Sequence, residues 1–350
     1  MAEGGHGLMA DANGHKSLDD LLIVLGSDDR YSMPLAVTLF SGVRRVPESV
    51  PVRVVVVDAG ISDENKARIE GVAQRAREGL QVEWVTPEMA KFDGLRTTHW
   101  GSPASYLPLL IPQLIAEDRS VLYLDSDLLI RGNLNELWEH RLGAAVPIHA
   151  VLDYGFHDVG AALKDNAAER LGIDASAPYF NSGVLLIDLP VWRRDRIAER
   201  ALEFAREHPD VMRFTDQDAL NAIIQGGWEQ LDPRWNVLVG SIDLMAGTVV
   251  DVAERESFKE SLTRAPHIMH FSGQQKPWKP GYARIGRREY LREVADSRWF
   301  DSAAAYWTWR IRLAVLSPFI RSKRRVIKLV WPLVVRFGRG GRVGAGGVTT

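Results

Sequence analysis

The sequence predicts a layered α/β fold, with helices on both faces of a central sheet. Two observations predict it. Short β-branched runs alternate with longer helical stretches between residues 20 and 275, and those runs are continuous or alternating apolar segments bounded by turn or polar residues. A chain of 350 residues with 46% hydrophobic content is long enough for one large domain with an appendage.

Taken in order, the first 19 residues are polar, carry Gly, His and Asp, and lack the apolar stretch of a signal peptide; they read as a disordered lead-in. Strands are expected at Leu21 to Leu25, Val52 to Val57, Val82 to Val85, Val121 to Leu124, Ala144 to Ile148, Gly183 to Leu189 and His267 to Phe271. Helices are expected at Ser32 to Gly42, Asp63 to Arg77, Pro103 to Ile115, Pro190 to Glu207 and Asp216 to Gln225. No boundary divides residues 20–300, which read as one domain.

The remaining segment, 301–350, differs in charge. From Ser302 onward there are ten Arg and Lys and no Asp or Glu, so a chain of net charge -2 leaves -2 minus +10, or -12, on the first 301 residues. The basic residues are interleaved with Tyr306, Trp307, Trp309, Ile311, Leu313, Val315 and Leu316, then with Val326, Ile327, Leu329 and Trp331 around Arg321-Ser322-Lys323-Arg324-Arg325. No apolar run there reaches the length of about 18 residues that a span needs. The pattern suits a basic amphipathic helical tail lying on an anionic membrane surface. A basic helix packed on the acidic body is the plainer alternative. Nucleic-acid binding is disfavoured by the acidic body.

Chemistry is suggested first by Val121-Leu122-Tyr123-Leu124-Asp125-Ser126-Asp127, an apolar strand running into two carboxylates spaced i, i+2. Side chains two apart on a strand share a side, so Asp125 and Asp127 can hold one cation at the sheet's carboxyl edge, where ligands of open α/β sheets collect. Such a pair also occurs by chance in turns. The first strand ends Gly26-Ser27-Asp28-Asp29-Arg30-Tyr31, an acidic turn in place of a Gly-rich phosphate loop, which argues against a dinucleotide or P-loop site. A carboxylate there can bond a base or ribose and Tyr31 can stack on a ring, or the turn can simply cap a helix. Asn181-Ser182-Gly183, Asp216-Gln217-Asp218 and His270 to Trp278 lie at element ends and have equally plain readings as turns and caps. His270 could complete a cation site begun by the aspartates, which shifts the favoured ion from Mg²⁺ or Ca²⁺ toward Mn²⁺. Lys276 could then neutralise phosphate. The absence of cysteine excludes disulfides, thiolate metal sites and a cysteine nucleophile, and fits a reducing compartment.

In this order the segments resemble the family 8 glycosyltransferases, retaining enzymes of the GT-A fold that include bacterial lipopolysaccharide galactosyl- and glucosyltransferases and, more distantly, glycogenin. The resemblance covers residues 20 to 280. It rests on Ser27-Asp28-Asp29 with Tyr31, Val54 to Ser62, Leu122 to Asp127, Tyr179 to Leu186, Asp216-Gln217-Asp218 and His270 to Trp278. It implies a GT-A-type, Rossmann-like layered sheet and Mn²⁺-dependent transfer, with Mg²⁺ the alternative, of galactose or glucose from a UDP-sugar to a glycan or glycolipid. It further implies Asp125, Asp127 and His270 as metal ligands, and Ser27, Asp28 and Tyr31 against uridine. Gly273 and Lys276 would meet the diphosphate, and Asn181, Asp216 and Gln217 would line the sugar pocket. A nucleophile, if the reaction uses one, would be Asp218 or Asp216 with Gln217 beside it; front-side attack is the other route to retention. The enzyme would work in the cytoplasm at the inner face of the membrane.

Two departures stand out. Many members carry an arginine two residues after the helix tyrosine, where this chain reads Tyr106-Leu107-Pro108, and Arg30 stands where related enzymes often have asparagine. The stretch from Pro147 to Pro178, with His149, Asp153, Tyr154, Phe156, His157 and Asp158, resembles the family least and is the expected seat of acceptor choice. An inactive nucleotide-sugar-binding homologue and a nucleotidyltransferase are the competing readings, the latter opposed by the acidic sign of the first turn.

Overall fold

A computed structural model of the chain describes residues 20–97, 103–142, 146–318 and 320. The lead-in 1–19 and most of the basic tail, 321–350, lie outside the described residues. A seven-stranded sheet forms the centre, in the order β3-β2-β1-β4-β7-β6-β8. Its strands are β1 (Leu21–Ser27), β2 (Val52–Asp58), β3 (Val82–Val85), β4 (Ser120–Leu124), β6 (Ile148–Leu152), β7 (Phe180–Asp188) and β8 (Glu229–Gln230). The first four run parallel, whereas β7 is antiparallel to both β4 and β6. A second sheet, β5-β10-β9, is built from β5 (Leu128–Ile130), β9 (Val237–Leu238) and β10 (Ile268–His270).

Alternate residues of the buried strands feed the two faces. Leu22 and Val24, Val55 and Val57, Val121 and Tyr123, and Leu185 and Ile187 pack on one side with the Ile197–Glu207 and Thr215–Ile224 helices. Leu21, Ile23 and Leu25, Val54 and Val56, Leu122 and Leu124, and Val184 and Leu186 pack on the other with α1 (Ser32–Val43) and α2 (Asp63–Ala76). That is the period-2 consequence of strands covered on both faces. A smaller core joins α1 to the second sheet through Val37, Leu129, Met269, Phe271, Trp278 and Tyr290.

Several expected boundaries move. The strand expected at Ala144 to Ile148 is found at Ile148–Leu152. Pro147 cannot donate to the ladder, so pairing begins after it; residues 144 and 145 lie outside the described residues. The helix expected at Pro103 to Ile115 is a tight 3₁₀ segment, Pro103–Leu110, followed by one α-turn, Ile111–Leu114, because Pro108 removes a donor from the ladder. The helix expected at Pro190 to Glu207 is two, Leu189–Arg194 and Ile197–Glu207, separated where Arg196 takes a left-handed conformation at φ 52°. The short strands β5, β8 and β9 carry too few residues to show a period and were not expected.

Candidate active site

Four chain segments meet at the carboxyl edge of β1 and β4: the acidic turn after β1, the turn between β4 and β5, the start of β7, and the loop after β10. Strand β4 ends at Leu124, so Asp125 and Asp127 lie in the turn that passes the chain from the large sheet to the small one, rather than on the strand itself. Ser126 points away from them and donates to Gly26 O at 2.8 Å, tying the turn to β1. The backbone completes the clamp, with Asp125 N–H on Gly183 O at 2.9 Å and Phe271 N–H on Asp127 O at 3.1 Å.

The turn thereby points its carboxylates at His270. Nε2 of the imidazole lies 3.6 Å from Asp125 Oδ2 and 3.3 Å from Asp127 Oδ1, and one ligand atom from each residue lies within 4.8 Å of the others. Gly183 makes room for this approach: a Cβ there would stand 2.4 Å from His270 Cε1 and 2.8 Å from Asp125 Oδ2. Lys276, buried against the rings of Tyr31 and Trp278, bonds Asp127 Oδ2 and donates to Phe271 O at 2.7 Å. Two carboxylates and an imidazole, converging on one point and drawing in a cationic ammonium, are a donor set that fits a divalent metal ion.

The charges are arranged unequally. Burial and the neighbouring Asp127 push Asp125 above the usual carboxylate range, to about 6. Asp127 is buried too, but Lys276 and His270 more than offset that and hold it well below the ordinary range. Against their own burial, His270 and Lys276 are both raised by Asp127.

From the cluster a cavity of about 470 Å³ runs past Tyr123 and Ser105 to Asp28, Arg30, Tyr31 and Lys279. Tyr31 stands edge-on to Trp278 at 5.8 Å between ring centres. Arg30 is largely exposed and pairs with Asp28 through Nη2 at 2.9 Å. Ser27 is buried and donates to Asp28 O at 2.7 Å, which holds the turn's shape. Gly273 occupies the left-handed region at φ 76° in the loop carrying Lys276, a conformation open to glycine without strain.

On the other side of the cluster a hydrogen-bond network is built around Asn181. Its Nδ2 donates to Gln217 Oε1 at 2.9 Å and to Asp153 Oδ2 at 3.3 Å, while Gln217 Nε2 donates to the same Asp153 oxygen at 3.0 Å. Asp216 is buried and accepts from Thr215 Oγ1 at 3.1 Å; burial, then Asp125, pushes it up to about 7. Asp218 differs from its neighbours. It is fully buried, and its carboxylate accepts from the Tyr179 hydroxyl and from the backbone N–H groups of Arg213 and Phe214, at 2.5 and 2.7 Å for the last two. The structure thus brings Asp125, Asp127, His270 and Lys276 together, places Asp28 and Tyr31 along the same cavity, and turns Asp218 into the helix start behind it.

Three participants escape a reading of the sequence. Asn236 bonds His270, Tyr123 donates its hydroxyl to Asp125 Oδ1 at 2.8 Å, and Asp153 joins the Gln217 network. Asn236 sits in a short 3₁₀ turn and Tyr123 in an apolar strand, so neither carries a motif; Asp153 is read only as one polar residue of the stretch that resembles the family least, and for acceptor choice rather than for this network.

The model of the family described as Glycosyl transferase family 8 matches residues 22–280. General stress protein A of Bacillus subtilis (strain 168) is 30% identical over 281 residues, 79% of this chain and 94% of that protein. A lipopolysaccharide 1,3-galactosyltransferase of Salmonella typhimurium is 24% identical, over 83% of this chain and 82% of its own length. Among solved structures, the galactosyltransferase LgtC in complex with donor and acceptor sugar analogs superimposes with a TM-score of 0.67 and 29% identity, over 79% of this chain and 95% of that one.

Proposed function

Because this chain belongs to glycosyl transferase family 8 and is a glycosyltransferase of GT-A fold, we propose that it moves a hexose, galactose or glucose, from a UDP-sugar to a glycan or glycolipid with retained anomeric configuration. The observation that carries this reading is the convergence of Asp125, Asp127 and His270 at one end of a cavity whose other end holds Asp28 and Tyr31. Asp125, Asp127 and His270 would hold the divalent ion, Mn²⁺ in preference to Mg²⁺, which when bound supplies Lewis acidity toward the departing diphosphate.

The chain's own groups divide the remaining work. Asp28 accepts from the base, and the Tyr31 ring offers it an apolar face, with Ser27 fixing the turn. Lys276, already drawn toward this charge cluster, neutralises phosphate as a point charge, and the Gly273 loop lets backbone approach it. Asn181 and Gln217 orient the sugar, and Asp216, raised by its burial and by the charge of Asp125, serves the sugar's reacting face. Asp218 holds the Thr215–Ile224 helix in place through its backbone and Tyr179 contacts, and is the reserve carboxylate if a covalent step occurs.

We assign this chemistry to residues 20–300, with 1–19 as a lead-in, and assign residues 301–350 to attachment at the cytoplasmic face of an anionic membrane. Support for the last assignment is the +10 charge from Ser302 onward and the exposed Trp307, Ile311 and Val315. Among the described residues no helix is long and apolar enough to cross a membrane. The test is UDP release from a panel of UDP-sugars with and without Mn²⁺, beside an Asp127→Ala control. Metal-dependent hydrolysis of one donor, lost in the control, is expected; tight UDP binding with no turnover of any donor or acceptor would overturn the reading.

A further inference from the structure

A second cavity bordered by the described residues lies away from the donor site. It measures about 980 Å³ and runs between α2, the turn after the Arg287–Asp296 helix, and the first turns of the helix over 303–318. Arg68, Arg75 and Arg298 line it, together with Trp299, Tyr306 and Trp307.

The three arginines are not equivalent. Arg68 is neutralised by Glu64 and Asp301, each at 2.8 Å, and lies over the Trp299 ring. Arg75 donates only to backbone, to Ser297 O at 2.8 Å and Arg298 O at 3.4 Å. Burial, then the adjacent Arg298 guanidinium, lowers its pKa from the ordinary arginine value. Arg298 itself holds the left-handed position at the helix end, φ 51°, where glycine or asparagine is the usual choice. Among the described residues no ion pair is formed by either Arg75 or Arg298, so the groove, whose Glu64 and Asp301 carboxylates go to Arg68, carries two guanidinium groups without a carboxylate partner.

The helix beside the groove has two faces. Tyr306, Trp309, Leu313 and Ser317 turn toward the body, whereas Trp307, Ile311 and Val315, spaced i, i+4 and i+8, are 57%, 59% and 56% exposed. Trp307 belongs to both features: it lines the groove and begins the exposed apolar stripe. A ligand that satisfies both must carry an anionic head beside an apolar phase. The chain's own continuation, Arg321-Ser322-Lys323-Arg324-Arg325, has the wrong sign to fill the groove.

We propose that this groove is a headgroup site for an anionic phospholipid, its phosphate between Arg75 and Arg298 while the Trp307–Ile311–Val315 stripe enters the headgroup–acyl boundary. The inference rests on the membrane reading above and gives it a defined site outside the donor pocket. Guanidinium suits phosphate by its planar array of donors, and tryptophan suits the interface by its amphipathic ring.

The experiment is partitioning of the full chain onto phosphatidylcholine vesicles with and without phosphatidylglycerol, alongside UDP-sugar hydrolysis in solution. Arg75→Gln with Arg298→Gln should weaken binding to the anionic vesicles by about tenfold or more, two interfacial charges being removed. Arg288→Ala with Arg292→Ala removes the same charge from exposed positions that do not line the groove, and should cost about threefold or less. Trp307→Ser with Ile311→Ser should lower binding to both kinds of vesicle. Unchanged melting temperatures would confirm that all variants are folded; if the glutamine pair unfolds, Arg298→Gln alone gives the reading. Equal losses in the two arginine pairs would overturn the site in favour of diffuse attraction. Binding of soluble glycerol phosphate without vesicle binding would overturn it in favour of a free anion, and self-association abolished by Trp307→Ser in favour of a second copy. Donor hydrolysis without vesicle binding would sink the groove alone, while groove-dependent vesicle binding without any donor turnover would sink the transferase reading alone.

Discussion

Asn236 Oδ1 lies 3.0 Å from His270 Nδ1, and this contact settles which nitrogen of the imidazole faces the aspartates. The assignment follows from the backbone. Gly183 N–H donates to Asn181 Oδ1 at 3.0 Å, so that atom is an acceptor; Asn236 Nδ2 donates to the same oxygen at 2.8 Å, which leaves Asn236 Oδ1 to accept from His270 Nδ1–H. Nε2 is therefore the nitrogen that faces Asp125 and Asp127, and once it gives up its proton its lone pair is available to a metal between them. Asn236→Ala should release the ring and weaken Mn²⁺ binding by about 10- to 100-fold, as loss of a ligand's outer hydrogen-bond partner does elsewhere. Titration of Mn²⁺ by electron paramagnetic resonance reads this directly, and an unchanged dissociation constant would refute the role.

The ion pair of Lys276 with Asp127 sets up a competition. Both are buried, Lys276 on Oδ2 and His270 facing Oδ1, so a metal that takes Asp127 must share its carboxylate with the ammonium or displace it. Lys276→Ala should strip Asp127 of its partner and destabilise the metal-free protein by about 3 kcal/mol, the usual scale for breaking a buried pair. Added Mn²⁺ should then raise the melting temperature of the variant more than that of the parent, while donor KM rises because phosphate loses its cation. Equal thermal shifts in the two proteins would count against the competition.

How far these arrangements could be read from sequence differs with the physics involved. Buried strands such as Leu21–Ser27 and Val52–Asp58 announce themselves because a run of apolar residues is what satisfies both covered faces of a sheet. Asp125 and Asp127 are legible because an apolar run ends in two carboxylates on one side, and the acidic turn before them and Asp216-Gln217-Asp218 and His270 after them stand in the order that gives the pair weight. Asn236 was not, since a neutral amide in a turn is common and its partner His270 is 34 residues away. The pairing of Arg75 with the Arg298 turn was likewise hidden, because it depends on how α2 packs against a helix end more than 200 residues later.

Gly183 offers a steric test of the cluster. A methyl group there would meet His270 Cε1 at 2.4 Å, well inside contact distance, and Asp125 Oδ2 at 2.8 Å. Since β7 is clamped between β4 and β6, its backbone has little room to retreat, and the imidazole must move instead. Gly183→Ala should cost about 1–3 kcal/mol of stability, the range for overpacking a filled interior, and should reduce metal-dependent turnover far more than that implies. A variant that binds Mn²⁺ with parental affinity would show that the cluster tolerates the shift.

The elevated Asp216 makes stability depend on pH in a stated direction. Its carboxyl is pushed up to about 7 in the folded chain from 3.8, by burial and then by Asp125, so between those values the folded state holds a proton that the unfolded state has released. Stability from this group is therefore complete below about pH 4 and is lost as pH rises through about 7, an effect of a few kcal/mol at most. Asp127, held low by Lys276 and His270 despite its burial, acts in the opposite sense but only at far lower pH, so it does not mask the trend. Urea unfolding of the metal-free protein across this window should show falling stability with rising pH. In Asp216→Asn, which keeps the shape and removes the titration, the slope should flatten, leaving the smaller contributions of Asp125 and Asp218, each raised to about 6. An identical slope in parent and variant would place the proton elsewhere.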